Sequence, residues 1–181
     1  GNNSYGQVGD NSTNQRKTPV DVSGMASGVA AIAAGDNHTC ALTSGGGVKC
    51  WGDNSSGQLG DNSTTQRLAP VDVSGLTNGV SAIAAGYAHT CVLTAGGGVK
   101  CWGYNEYGQL GDGTAAVRAF PGDVLILVPA APIGVTALAA NASAAVYFAP
   151  EWNGGAPIDS FRVTCNPGNH TNTGSASPIA V

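Results

Sequence analysis

Two short constellations in this 181-residue chain have residue types that could do chemistry: His38-Thr39-Cys40 with Cys50, and His89-Thr90-Cys91 with Cys101. Three chemistries fit such a set. A His and two thiolates could ligate a metal, although structural zinc takes four ligands at closer Cys spacing. A Cys–His pair could serve as nucleophile and base. The two cysteines could instead be oxidised to a disulfide. His38-Thr-Cys-Ala-Leu-Thr43, a Ser-Gly-Gly turn and Gly47-Val-Lys-Cys-Trp51 read as a β-hairpin, with Gly where positive φ is needed. With Leu42 opposite Val48, Cys40 falls directly opposite Cys50, and Cys91 opposes Cys101 in the same way. Directly opposed, non-hydrogen-bonded positions bring side chains within disulfide reach. Exact duplication of the set also favours structure over catalysis. The expectation is one disulfide per repeat, and with it an oxidising compartment. His38 and His89 are then expected to hold the loop entering each hairpin. Trp51 and Trp102, ending equivalent strands, are expected to be packing residues.

Other candidates read more plainly. Asp10, Asp61 and Asp112 follow Gly-Gln-Val/Leu-Gly and suit turns whose carboxylates accept nearby backbone N–H groups. Calcium would need more clustered carboxylates. Asp21, Asp72 and Asp123 recur likewise and suit a scaffold. The sequence contains no phosphate loop, zinc-hydrolase helix or nucleophile elbow, so no catalytic, cofactor-binding or metal residues are expected, and the chain is read as not an enzyme. Its net charge is −4 and its seven basic residues are scattered, which argues against nucleic acid as a partner. No apolar run approaches the roughly 20 residues of a membrane-spanning helix. Carbohydrate binding finds no support in these residues.

The elements that position these groups come from an internal repeat. Residues 1–51 align without gaps on residues 52–102 with 37 identities, and a third copy fades after Val124. A period of 51 residues suits one four-stranded propeller blade. Glycine, at 28 residues, works against long helices. Val29-Ala-Ala-Ile-Ala-Ala34 and Val80-Ser-Ala-Ile-Ala-Ala85 read as strands of small residues, suited to the innermost position where blades converge. The expected class is all-β.

The run Ile32-Ala-Ala-Gly-Asp-Asn-His-Thr-Cys-Ala-Leu42, followed by Val48-Lys-Cys-Trp-Gly52 and Gly57-Gln-Leu-Gly60, resembles the regulator of chromosome condensation repeat, and Ile83 to Leu93 repeats it. The resemblance implies a seven-bladed β-propeller. This chain would supply two blades and part of a third as a piece of a longer protein: residues 1–51, 52–102 and 103–128, together 1–128. Cys40 and Cys91 depart from the pattern, standing where the repeat carries an aliphatic residue. Residues 129–134 read as a linker. Residues 135–181, with strand-like Val135-Thr-Ala-Leu138, Ala144-Ala-Val-Tyr-Phe148 and Ser160-Phe-Arg-Val-Thr-Cys165, resemble the first half of a bacterial-type fibronectin type III domain. Phe148 stands where that family keeps a core Trp, and Cys165 is expected to pair outside this segment.

Function is read from where the copies disagree. Asp36-Asn37 is replaced by Tyr87-Ala88; Tyr5 by Ser56 and then Tyr107; Asp53 by Tyr104. Tyrosines on loops offer large, stiff, amphipathic contact area. Asp36, Tyr87, Tyr104 and Tyr107 are therefore the expected partner-binding residues. The expected function is a secreted or cell-surface bacterial binding protein, exported by a signal outside these residues, whose blades hold a protein partner and whose fibronectin-type segment is a spacer. Two other functions fit the same sequence: a structural or adhesive array, and an inhibitor that occludes a secreted enzyme.

Overall fold

The computed structural model describes residues 1–125, 133–140, 143–149, 161–165, 170–174 and 179–180, all of them strand, turn or loop. The chain divides into two compact units, Gly1–Leu125 and Ile126–Val181.

The first unit contains two four-stranded antiparallel sheets of the same design. In one, β1 (Val29–Ala34), β2 (His38–Thr43), β3 (Val48–Gly52) and β4 (Arg67–Asp72) lie side by side in chain order. In the other, β5 (Val80–Ala85), β6 (His89–Thr94), β7 (Val99–Gly103) and β8 (Arg118–Asp123) do the same. The hairpins close in the expected register, with Leu42 opposite Val48 and Leu93 opposite Val99. The sheets thus use residues 29–72 and 80–123, and the third sequence copy completes the second sheet. The material of a further blade lies instead at the other end, in residues 1–28. Arg16–Asp21 matches β4 and β8 in sequence position, yet it forms no strand. Without a preceding β3 to pair with, its backbone has no ladder to join.

Small side chains explain how the sheets meet. β1 and β5 are edge strands of Ala, Ile, Val and Ser, and β5 packs against both β1 and β2. The core lies between the two sheets. Cys40, Leu42, Val48 and Cys50 from the first hairpin meet Val80, Val92 and Trp102 from the second sheet, with Leu59 from the β3–β4 loop and Val73 and Leu76 from the segment connecting the sheets filling the space. This contiguous buried cluster is where most of the hydrophobic stabilisation resides.

In the second unit, β9 (Ile133–Ala140) pairs with β10 (Ser143–Ala149), which also pairs with β13 (Ile179–Ala180). β11 (Phe161–Cys165) pairs separately with β12 (His170–Gly174). β9 begins within the expected linker, whose residues 129–132 lie outside the described residues. This set of strands does not by itself identify a fibronectin type III sandwich.

Candidate functional site

The cysteines meet where the hairpins place them. Cys40 and Cys50 are joined with an S–S distance of 2.08 Å and Cα atoms 4.1 Å apart, and Cys91 and Cys101 with 2.09 Å and 4.1 Å. The first pair is fully buried in the core between the sheets. In the second, Cys101 is buried and Cys91 partly exposed. Each disulfide uses both sulfurs of its set, leaving the neighbouring histidine as the remaining donor.

That histidine works across the boundary between the two sheets rather than within its own loop alone. His38 is buried, and its Nε2 lies 3.0 Å from the Thr90 hydroxyl of the next sheet. Thr90 donates its single hydroxyl proton to the Gln58 carbonyl at 2.9 Å. It must therefore accept from His38, which places the ring proton on Nε2 and leaves Nδ1 as a buried acceptor without a partner. Burial lowers the His38 pKa to about 4, against a smaller opposing pull from Asp53. His89 is half-buried, and burial lowers its pKa as well.

The tryptophans reach the same loops. Trp102 Nε1 donates to the Gln58 carbonyl at 2.9 Å, as Trp51 Nε1 does to that of Gln7. The Gly-Gln-Leu-Gly loop leaving the first sheet is thus pinned to the second. Gly60, at φ +72°, lies so close that a Cβ would stand 2.6 Å from Trp102 Nε1, so no other residue fits. Sequence reasoning passed over the residue that shapes this loop. Asn54 is fully buried, accepts from the Leu59 N–H at 2.9 Å, and donates toward the Ser63 and Thr65 carbonyls at 3.0 and 3.1 Å. Asn3 and Asn105 repeat this clamp. Their fixed position in all three copies was the available signal. Asp61 is indeed a turn residue, accepting from the Ser63 N–H at 3.1 Å, and it also holds Arg67. Arg16–Asp10 and Arg118–Asp112 repeat that ion pair.

On this scaffold the divergent residues converge. Loops at one end of both sheets surround a hollow of about 470 Å³ whose lining includes Asp36, Asp53, Tyr5, Tyr87, Tyr104 and Tyr107. All four residues expected at a partner-binding face therefore border a single concavity. Two loops are tied directly, the Asp36 N–H donating to the Tyr87 carbonyl at 3.2 Å. Tyr87 is 74% and Tyr107 87% exposed, so neither supports the core. Tyr104 and Tyr107 meet edge-on, with ring centroids 6.1 Å apart. The Tyr104 hydroxyl donates to the Glu106 carboxylate, which pushes the phenol pKa up to about 12.

Comparisons with known proteins agree with this architecture. Two models of the regulator of chromosome condensation (RCC1) repeat match the chain, one over residues 1–42 and 46–93, the other over 29–58 and 80–109. The chain is 33% identical over 119 residues to the ultraviolet-B receptor UVR8 of Arabidopsis thaliana, a stretch covering 65% of this chain and 27% of the receptor. It is 36% identical over 116 residues to the human E3 ubiquitin-protein ligase HERC2, covering 63% of this chain and 2% of the ligase. The crystal structure of human WBSCR16 superimposes with a TM-score of 0.60 at 26% identity, covering 81% of this chain and 38% of that one. The chain thus spans only a minor part of each relative. Matched from residue 1 to residue 109 and folded as two four-stranded sheets, it carries repeats of the regulator of chromosome condensation family, and those sheets are blades of that family's β-propeller.

Proposed function

We propose that these blades belong to a propeller that binds a protein partner at the loop end of the blades, through Asp36, Tyr87, Tyr104 and Tyr107, in a secreted or surface-displayed bacterial protein. The observation that carries the reading is the coincidence of divergence and concavity. Four of the 14 positions that differ between the otherwise near-identical repeats supply nearly all of the hollow's lining, while the glycines, tryptophans, histidines and cysteines that build the blades stay fixed. The compartment reading is supported by two cross-strand cysteine pairs, one in each hairpin, joined as disulfides. No catalytic role is assigned to these residues, and the strands after Ile133 are read as a fibronectin-type spacer.

The test is the triple variant Tyr87→Ala, Tyr104→Ala, Tyr107→Ala, compared with the unmodified chain for affinity toward a partner crosslinked to the parent protein on its native host. These rings lie outside the blade core, so the variant should keep its melting temperature. Its affinity should fall at least about tenfold, since aromatic residues at interface centres carry roughly 1–2 kcal/mol or more each. Unchanged affinity would overturn the reading.

A further inference from the structure

The hollow is lined by two chemically different kinds of residue, and they stand at equivalent positions of successive blades. The first blade contributes Asp36 and Asp53; at the same two positions the second blade contributes Tyr87 and Tyr104. Tyr5 and Tyr107 add two further rings, and Glu106, outside the lining, accepts the Tyr104 hydroxyl. Carboxylates and aromatic rings share the lining.

That negative charge is uncompensated. Arg16, Arg67 and Arg118 are each paired to Asp10, Asp61 and Asp112, and Lys49 and Lys100 to Asp72 and Asp123. Five of the chain's seven basic residues are thereby committed to the scaffold. Among the described residues none forms an ion pair with Asp36, Asp53 or Glu106, and no Lys or Arg lines the hollow. The volume of about 470 Å³ falls inside the span of roughly 300–1,000 Å³ seen for ligand sites.

Resting on the partner-binding reading above, we propose that this hollow receives an arginine side chain from the partner's binding segment, with the guanidinium against the faces of Tyr87, Tyr104 and Tyr107 and its N–H groups directed at Asp36 and Asp53. Aromatic faces attract cations through their quadrupole. A planar guanidinium stacks on a ring while offering several N–H donors in its plane to a carboxylate, which a compact ammonium cannot do at once. A hollow that joins rings to carboxylates that accept only neutral donors, Asn37 for Asp36 and Ser55 and Gln58 for Asp53, uses both properties.

The inference is tested by titrating the isotope-labelled 181-residue chain with acetyl-Gly-Arg-Gly-Arg-Gly-amide and following the tyrosine ring resonances. The lysine, norleucine and glutamate analogues serve as comparisons. The arginine peptide should shift Tyr87, Tyr104 and Tyr107 together, in a manner weakened by salt, and the norleucine and glutamate peptides should not. Tyr87→Ala and Asp36→Asn should each weaken binding by roughly two- to fivefold, whereas Tyr87→Phe keeps the ring and should retain it. Equal shifts with norleucine, or tighter binding of the lysine peptide, would overturn the guanidinium assignment. So would the absence of any arginine-dependent shift. Either result, with partner affinity still lost in the triple alanine variant, refutes this inference alone. Unchanged partner affinity in that variant refutes the underlying reading.

Discussion

His38 is held where a protonated ring would be poorly solvated. Its Nε2 donates to Thr90, its Nδ1 meets no partner, and burial lowers its pKa from 6.5 to about 4. Asp53 and Asp36 oppose that shift, while His89 adds to it. The unfolded chain therefore binds a proton at a higher pH than the folded one. The contribution of His38 should be fully present above about pH 7 and should be lost as pH drops from 6.5 toward 4, by at most about 3 kcal/mol. Asp61 acts in a lower window. Burial raises its pKa, but hydrogen bonds from Ser63, Arg67 and Asn54 win and hold it below 3.8. Thermal melts at pH 7.5, 5.5 and 4 check the sign for His38. The melting temperature should fall along that series in the unmodified chain and less in His38→Gln, which keeps the contribution of His89. An unmodified chain that melts at one temperature across the series would contradict the account. Residues of this kind were legible as a recurring His two positions before a Cys, but their direction was not. Sequence spacing shows what lies near in the chain, whereas the Thr90 partner belongs to the next blade.

Strand by strand, the elements show why some of the fold was readable and some was not. β1, β2 and β5 coincide with the segments expected to be strands, and β3 is displaced by a single residue. Short apolar runs bounded by Gly carry their own signal. β4 and β8 carry none, because Pro70 and Pro121 interrupt them and each pairs in shifted register with its neighbour. Proline survives there because the strand lies at the sheet edge, where its missing N–H breaks no ladder. Gly1, the counterpart of Gly52 at the end of β3, also placed the sequence repeat out of phase with the blade. Loop-to-blade clamping yields a prediction at this scale. Trp102→Phe retains most of the buried apolar volume but removes the donor to the Gln58 carbonyl. Thr90 still donates to that oxygen. The loss should therefore fall at the low end of the range for a broken buried hydrogen bond, about 1 kcal/mol plus a small packing term. Urea unfolding of the two proteins would measure it. A loss above about 4 kcal/mol would show that the ring's shape, and not its N–H, fixes the loop.

At the scale of the whole molecule, two blades leave lateral surfaces that a closed propeller would cover. Ile32 is 64% exposed and Val29 44% on β1, and Phe120 is 51% exposed on β8. Exposed apolar strands at sheet edges promote association. The 181-residue chain should therefore sediment with increasing mass as its concentration rises; a monomer with a sharp, concentration-independent melt would contradict this. The candidate site follows the same logic of scale. Tyr87, Tyr104, Tyr107 and Asp36 could be singled out from disagreement between repeats, but that they share one hollow depends on the angle between blades, which no local pattern encodes. The proposed export rests on blades stapled by disulfides, so non-reducing peptide mapping by mass spectrometry, on the protein isolated from its native host, tests it most directly. Peptides linked Cys40–Cys50 and Cys91–Cys101 are expected. Free thiols at these four positions would contradict this linkage and remove the support for export.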